Sequence, residues 1–441
     1  MDLAGKKVVV LGMGLSGIWS VKLLNQKNVE VFAINSGSPS SWASFKEISS
    51  IVGEQHCLSE TDAHLLFQTC DLVILSPGIP RTHAHIQCAL AHHIPVVSEI
   101  ELGYWFLTDE KIIAVTGSNG KTTTVSMLGE MLKKADNTVF VGGNIGTPLV
   151  QYIYEKQKCE FVVLELSSFQ LESMPTFRAH SNIILNVFVN HTERYGEIGD
   201  YARAKFNIAK NLTPDDLVVY PTNFPLIANW VETLNLKKIG IDTSDISGIK
   251  ADIIKDYSLD HFKLAGTHNL SNLLFMLKAL TPFSINKAGI QSAIDTFLGV
   301  DYRIQYEKTN DLFLCYNDAK STNWDATLSA VESLDKCGKE LWLILGGRKR
   351  NPGDNITHQI KNLVKKVDKI LLIGETTEQF FEELKSKISA EKCFTIENCI
   401  SFSRKNKFDG ILLFSPAFPS FDQFKNYMDR GKQFHLTLVG M

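Results

Sequence analysis

The sequence predicts three α/β domains with mainly parallel sheets, and three observations carry that expectation. An apolar strand runs straight into glycine at Lys7–Gly12, at Ile112–Gly117 and at Leu341–Gly347. After each of these runs, apolar strands alternate with amphipathic helical stretches, the pattern of successive strand–helix–strand units. The chain has 441 residues, more than one hydrophobic core usually holds. Boundaries near residues 98 and 302 divide it into 1–98, 99–302 and 303–441.

Composition narrows the function. With 44% hydrophobic and 21% charged residues the chain is an ordinary globular protein, and its formal charge of −3 gives no general attraction to nucleic acid or acidic membranes. An anionic substrate must therefore be held by local positive groups. The start, Met1-Asp2-Leu3-Ala4-Gly5, shows no apolar leader, and no run of 18 apolar residues follows. A cytoplasmic protein with no membrane and no nucleic-acid partner is expected. The eight cysteines are scattered without a Cys-x-x-Cys pair, which suits a reducing compartment. His83, His85, Cys88, His92 and His93 are spaced as a polar helix face and loop rather than as a tetrahedral metal set.

The first domain opens with Gly12-Met13-Gly14-Leu15-Ser16-Gly17 after a strand and before a helix. Taken alone that turn suggests NAD or FAD, with another nucleotide diphosphate on the same kind of turn also open, and in dinucleotide-binding proteins the second strand then ends in an acid for the ribose. Here the second strand ends in Asn35-Ser36-Gly37, which weakens the dinucleotide reading. A further strand, Leu72–Leu75, ends in Ser76-Pro77-Gly78-Ile79-Pro80, at the sheet edge where ligands of open α/β sheets bind.

The second domain is organised around residues 111–124. The β-branched run Ile112–Val115 breaks at Gly117 and Gly120 and continues into a helix from Lys121, Thr122 and Thr123. Glycines turn backbone N–H groups toward an anion, the helix N-terminus adds its dipole, Lys121 neutralises phosphate and the Thr122 hydroxyl suits Mg²⁺. The longer phosphate loop wants another glycine upstream, where Val115 and Thr116 stand, so this is the short Gly-x-x-Gly-Lys-Thr-Thr form. Gly142-Gly143-Asn144-Ile145-Gly146 is a second flexible turn. The strand Phe161–Leu164 delivers Glu165 beside the phosphate loop, a hard oxygen donor for Mg²⁺. Strand Ser181–Val187 leads to His191 and Arg194, and Ala202–Phe206, with Lys205, lies on the next helix. Gly266-Thr267-His268-Asn269 opens an apolar helix on which Asn269 and Asn272 share a face.

In the third domain Asp301-Tyr302-Arg303 marks the junction. A polar loop, Asn317-Asp318-Ala319-Lys320-Ser321-Thr322-Asn323, follows the strand Leu312–Tyr316, and Ser415–Phe424 forms another strand-end turn. Loops this dense in functional groups suit a small polar substrate.

Taken in order, these motifs resemble the Mur ligase family over nearly the whole chain. The resemblance rests on Gly117–Thr123, Asn144-Ile145-Gly146, Glu165–Leu171, His191-x-x-Arg194-Tyr195, Lys205, Gly266-x-His268-Asn269-x-x-Asn272 and Arg303. It continues through Asn317–Asn323 and Ser415–Asn426. The phosphate loop and the Asn269/Asn272 helix are shared with folylpolyglutamate synthetases. The Glu-Leu-Ser-Ser-Phe-Gln-Leu and Asp-Gln-Phe-Lys-Asn stretches point to the D-glutamate-adding member.

The resemblance implies a Rossmann-like N-terminal domain for a UDP substrate, a P-loop ATPase-like central domain, and a Rossmann-like C-terminal domain that brings the amino acid and closes the site. It implies an ATP-dependent ligase of peptidoglycan synthesis, monomeric, joining D-glutamate to UDP-N-acetylmuramoyl-L-alanine through an acyl phosphate. ATP and two Mg²⁺ ions are the implied cofactors, with Mn²⁺ an alternative. Lys121, Glu165, His191 and Lys205 would be catalytic; Thr122, Glu165, His191 and Lys205 (as a carbamate) would hold metal. Gly117, Ser118, Asn119, Gly120, Lys121, Thr122, Thr123, Asn269, Asn272, Arg303 and Asp318 would bind ATP. Leu15, Ser16, Gly78, Asn144, Lys320, Thr322, Ser420 and Tyr427 would bind the other substrates. The chain departs from the family at Asn35, often acidic there, at Tyr427, often Phe, and at Arg348-Lys349-Arg350, where an acid usually follows the glycines. The alternatives are another Mur-type ligase, a folylpolyglutamate synthetase, which lacks such a first domain, or a dinucleotide-binding protein.

Overall fold

A computed structural model describes residues 3–188, 195–264, 266–334, 336, 338–349 and 356–440. Three sheets form, one for each strand-into-glycine run. The first contains β1 (Lys7–Leu11), β2 (Glu30–Asn35), β3 (Cys57–Ser59), β4 (Leu72–Leu75) and β5 (Val96–Ser98), in the order β3-β2-β1-β4-β5. The second contains β6 (Lys111–Thr116), β7 (Val139–Gly143), β8 (Phe161–Glu165), β9 (Ser181–Ile184), β10 (Leu217–Pro221) and β11 (Lys237–Ile241), in the order β11-β10-β9-β6-β8-β7. The third contains β12 (Gln305–Glu307), β13 (Leu314–Asn317), β14 (Leu341–Gly346), β15 (Lys369–Ile373), β16 (Ser389–Phe394) and β17 (Ile411–Phe414), in the order β12-β13-β17-β14-β15-β16. Among the described residues every pairing between these strands is parallel except that of the edge strand β12, which runs antiparallel to β13.

The central strands, among them β1, β8, β14 and β17, are almost wholly apolar because both their faces are covered, whereas the edge strands β11, β12 and β16 carry polar, partly exposed residues. On β1, Val8 and Val10 enter one core while Val9 and Leu11 enter the core on the opposite face. On β14, Leu341, Leu343 and Leu345 point one way, and Trp342 and Ile344 the other. This period of two, laid over a continuous apolar run, is what a sheet sandwiched between helices requires.

By contacts the described chain forms two compact units: Met1–Asp256 with Asn272–Ala293, and Tyr257–Ser271 with Ile294–Met441. The first two sheets share a unit because their junction is densely bonded. Ser98 N donates to Ser173 O at 2.7 Å, Arg81 to Glu172 O at 2.8 Å, and the buried Glu99 accepts Val150 N at 2.9 Å. Glu101 takes Thr176 N and Phe177 N at 2.8 and 3.0 Å.

Two strands differ from expectation. β9 ends at Ile184 instead of Val187, because Asn186 and Phe188 turn to bond the phosphate loop. The strand expected over Leu312–Tyr316 begins at Leu314 and runs to Asn317, where it pairs with β17. Among the described residues no helix is long and apolar enough to cross a membrane.

Candidate active site

Parallel strands place all their C-terminal ends, and the loops that follow, on one edge of a sheet. At that edge of the second sheet β6 lies between β8 and β9, with Val115 opposite Glu165 and Thr116 opposite Ile184. Gly117–Gly120 then turn into the helix Lys121–Lys134. Gly120 caps that helix at φ +84°, where a side chain would be strained, and a Cβ there would crowd the Asn272 amide at 3.1 Å. Lys121 curls over the turn, its Nζ 2.8 Å from Gly117 O and 3.0 Å from Ser118 O.

The turn is braced by a residue that motif reading missed. Asn186 Oδ1 accepts the N–H groups of Ser118 and Asn119 at 3.0 and 2.9 Å, and its Nδ2 donates to Asn119 O at 3.2 Å. The available signal was a polar residue closing an apolar strand. Ser118 Oγ also accepts Phe188 N at 2.9 Å.

Beside the turn, Glu165 is buried, with Thr122 Oγ1 donating to its Oε2 and Asn144 Nδ2 to its Oε1, both at 2.8 Å. Thr122 and Glu165 thus set two hard oxygens side by side at the mouth of the phosphate loop, which fits Mg²⁺. Lys205 is buried as well, donating to Gly117 O at 2.9 Å and lying 4.4 Å from the centre of the Tyr201 ring. Burial, and then the neighbouring Lys121, push its pKa down to about 6, against the pull of Glu165. As a protonated amine Lys205 does not fit a metal site; as a neutral amine it is a nucleophile. His191 lies outside the described residues. Among those described, no group of three His, Cys, Asp or Glu side chains is arranged to hold a metal ion.

At the first sheet's edge, the exposed Leu15 and half-buried Ser16 open the helix Leu15–Gln26 that follows β1, and the exposed Gly78 lies on the turn after β4. A Cβ on Gly17 would lie 1.9 Å from Gly12 O, so helix and strand approach as closely as the glycine motif requires. Asn35 Oδ1 accepts Met13 N at 3.3 Å, and Ser76 Oγ donates to Gly12 O at 2.8 Å. The residue read as a missing acid therefore stabilises the turn itself. Of the expected histidine face, His83 lies 3.4 Å from Glu60, His85 stacks on Phe67, and His92 bonds Cys88 O.

The third sheet's edge gathers a different set. Asp318 accepts Ile304 N at 3.2 Å and Ser415 Oγ at 2.7 Å, and burial pushes its pKa up to about 7. Lys320 Nζ lies 5.6 Å from the Tyr427 ring centre, and its backbone N–H donates to Tyr302 O. Ser420 is buried, with its carbonyl accepting the N–H groups of Gln423 and Phe424. Thr322 is half-buried, one residue before Asn323, which caps the helix Trp324–Ser333. Arg303 is half-buried beside Asp318, and Asn269 N donates to Gly266 O in the first turn of the helix Thr267–Ala279. Arg348 is exposed and Lys349 half-buried; Arg350 lies outside the described residues.

The structure thus brings Gly117–Thr123, Asn144, Glu165, Lys205 and Asn272 around one loop, and Asp318, Lys320, Ser420 and Tyr427 onto another sheet edge. Comparison with known proteins gives the family. Residues 115–280 match the Mur ligase middle domain, and residues 6–98 the MurD-like Mur ligase N-terminal domain. The chain is 32% identical to the UDP-N-acetylmuramoylalanine–D-glutamate ligase of Caldicellulosiruptor saccharolyticus, over 98% of each chain. It is 30% identical to the enzyme of that name from Pelotomaculum thermopropionicum, over 100% of this chain and 99% of the relative. Among solved structures, UDP-N-acetylmuramate-alanine ligase MurC from Thermotoga maritima shares the fold at TM-score 0.53 and 17% identity, covering 97% and 98% of the two chains. FolC of E. coli with DHPP and ADP does so at 0.51 and 12%, covering 76% and 91%. The chain belongs to the Mur ligase family, with the UDP-N-acetylmuramoylalanine–D-glutamate ligases as its full-length relatives.

Proposed function

We propose that this chain joins D-glutamate to UDP-N-acetylmuramoyl-L-alanine at the expense of ATP, in the making of a peptidoglycan precursor. The observation that carries the reading is the phosphate turn with Lys121, Thr122, Glu165 and Lys205 converging on it, in a chain alike in full length to D-glutamate ligases.

A carboxylate is a poor acyl donor, so the alanine carboxylate first attacks the ATP γ-phosphorus. The bond from that phosphorus to the bridging oxygen breaks, and ADP leaves. The amine of D-glutamate then attacks the acyl phosphate, loses a proton and expels inorganic phosphate. Negative charge collects on phosphoryl oxygens in the first step, and Lys121 with the backbone N–H groups of the turn stabilises it. Bound Mg²⁺ would supply further charge neutralisation, held by Thr122 and Glu165, with His191 and Lys205 at a second ion. A lysine that is neutral near pH 7 adds CO₂ to become a carbamate, an anionic oxygen donor, so the depressed pKa of Lys205 favours that form. Asn269, Asn272, Arg303 and Asp318 are assigned to the nucleotide, Leu15, Ser16 and Gly78 to the UDP group, and Asn144 to the acyl substrate. Lys320, Thr322, Ser420 and Tyr427 are assigned to D-glutamate. Residues 1–98, 99–302 and 303–441 are the corresponding domains of a monomeric cytoplasmic enzyme.

The test is phosphate release from ATP with UDP-N-acetylmuramoyl-L-alanine and, in turn, D-glutamate, L-glutamate, L-lysine or meso-diaminopimelate. Release with D-glutamate alone is expected; release with a different amino acid alone would contradict the assignment.

A further inference from the structure

The edge of the third sheet holds a charge that the chemistry above leaves without a role. Arg430, on the helix Tyr427–Val439, is 1% exposed and the largest fully buried side chain among the described residues. One of its terminal nitrogens donates to Phe418 O at 2.8 Å and the other to Ala319 O at 2.9 Å. Its Nε is buried with no hydrogen-bond partner among the described residues. A Cβ on Gly347 would come within 3.4 Å of the guanidinium, so the turn after β14 also rests against it. Burial lowers its pKa to about 10, opposed by Asp422 and Asp318, so it stays charged at neutral pH.

A guanidinium buried on two carbonyls is an expensive way to fill space, since an apolar side chain of the same volume avoids the desolvation cost. What the planar fork supplies is geometry: the β13–β17 ladder ends with Asp318 N on Phe414 O at 2.7 Å, and beyond it two donors at fixed separation tie the Ala319 and Phe418 carbonyls. The three segments it touches carry the amino-acid residues. Lys320 and Thr322 follow Ala319 by one and three positions, Ser420 follows Phe418 by two, and Arg348 follows Gly347 by one.

We propose that Arg430 is a positioning residue: it fixes the spacing of the 317–323, 415–422 and 346–349 segments, and so sets affinity and selectivity for the amino acid without touching it. The inference rests on the assignment of these segments to D-glutamate. A lysine at 430 keeps the charge but offers a point donor that cannot span both carbonyls, and a glutamine keeps a planar donor but loses the charge.

The experiment measures initial rates for the full-length wild type, Arg430→Lys and Arg430→Gln, with separate KM values for D-glutamate, ATP and UDP-N-acetylmuramoyl-L-alanine and a thermal melt for each. Misplacement of contact groups by a fraction of an ångström is expected to raise the D-glutamate KM about tenfold or more, and to narrow discrimination against L-glutamate. The KM for UDP-N-acetylmuramoyl-L-alanine should stay within about twofold, since its contacts are made elsewhere, and the ATP KM should move less than that for D-glutamate, since of the nucleotide residues only Asp318 lies in a segment that Arg430 holds. A wild type indifferent to D-glutamate would sink the substrate assignment and this inference with it. A D-glutamate-dependent wild type whose variants keep their D-glutamate KM would overturn the role of Arg430 alone. So would variants in which all three KM values and the melting temperature move together, or two variants that both fail to fold, because the guanidinium would then serve stability only.

Discussion

The edges of the second and third sheets are both made of loops leaving parallel strands, yet they are held by opposite means. Around the phosphate turn the bracing groups are neutral amides, Asn186 and Asn144, while the charged groups Lys121, Thr122-bonded Glu165 and Lys205 converge on the turn. In the third sheet the bracing group is itself a buried charge, Arg430, with the half-titrating Asp318 beside it. The difference fits the ligands proposed for the two edges. A triphosphate is the same in every such enzyme, and backbone N–H groups with one lysine recognise it from a single short turn. An amino acid must be chosen among many, and the groups proposed to choose it come from separate loops that need to be held at a distance from each other.

Substitutions in the two regions should therefore fail in different ways. The largest effect is expected for Lys121→Ala, which removes the charge nearest the developing phosphoryl anion: kcat falls by about 10³-fold or more with the fold intact. A variant within tenfold of wild type would place that charge elsewhere. Lys205→Ala should lose about 10²-fold and regain part of it from short carboxylic acids that replace the carbamate. Since the neutral amine is the form that takes up CO₂, the CO₂ requirement should be met more readily as pH rises through about 6. Full activity in the untreated variant would contradict the carbamate.

Asn186→Ala should cost about tenfold in kcat/KM for ATP, because two N–H groups of the turn lose the acceptor that orients them. An unchanged value would show that the turn holds its shape alone. The smallest effect concerns stability. Asp318 binds its proton more tightly folded, near 7, than unfolded, near 3.8, so between those values the native state holds more protons and stability falls as pH rises. Melting temperatures of Asp318→Asn from pH 4 to pH 8 should show a flatter decline than wild type. An identical decline would mean that Asp318 ionises freely in the fold.

These effects also mark what could be read from the sequence. The three sheets, the glycine turns, the Lys-Thr pair and Glu165 were legible because each announces itself within a few residues: a strand, a break, a functional group at the strand end. Asn186 was not, since its role depends on β9 lying beside β6, which no local pattern records. Asn35 was read as an absent acid, whereas its amide accepts the N–H of Met13 and holds the glycine turn. Arg430 sits in a helix rich in polar residues, Tyr-Met-Asp-Arg-Gly-Lys-Gln, where an arginine looks like one more surface charge until the loops packed around it are known.

The claim on which all of this depends is that the second sheet's edge activates a carboxylate by phosphorylation. The most direct test uses UDP-N-acetylmuramoyl-L-alanine labelled with oxygen-18 in the alanine carboxylate, followed by mass analysis of the phosphate released in the presence of ATP and D-glutamate. An acyl phosphate requires one carboxylate oxygen to leave with the phosphorus, so singly labelled phosphate is the expected result. Unlabelled phosphate, with both labelled oxygens still in the nucleotide substrate or its product, would contradict the account.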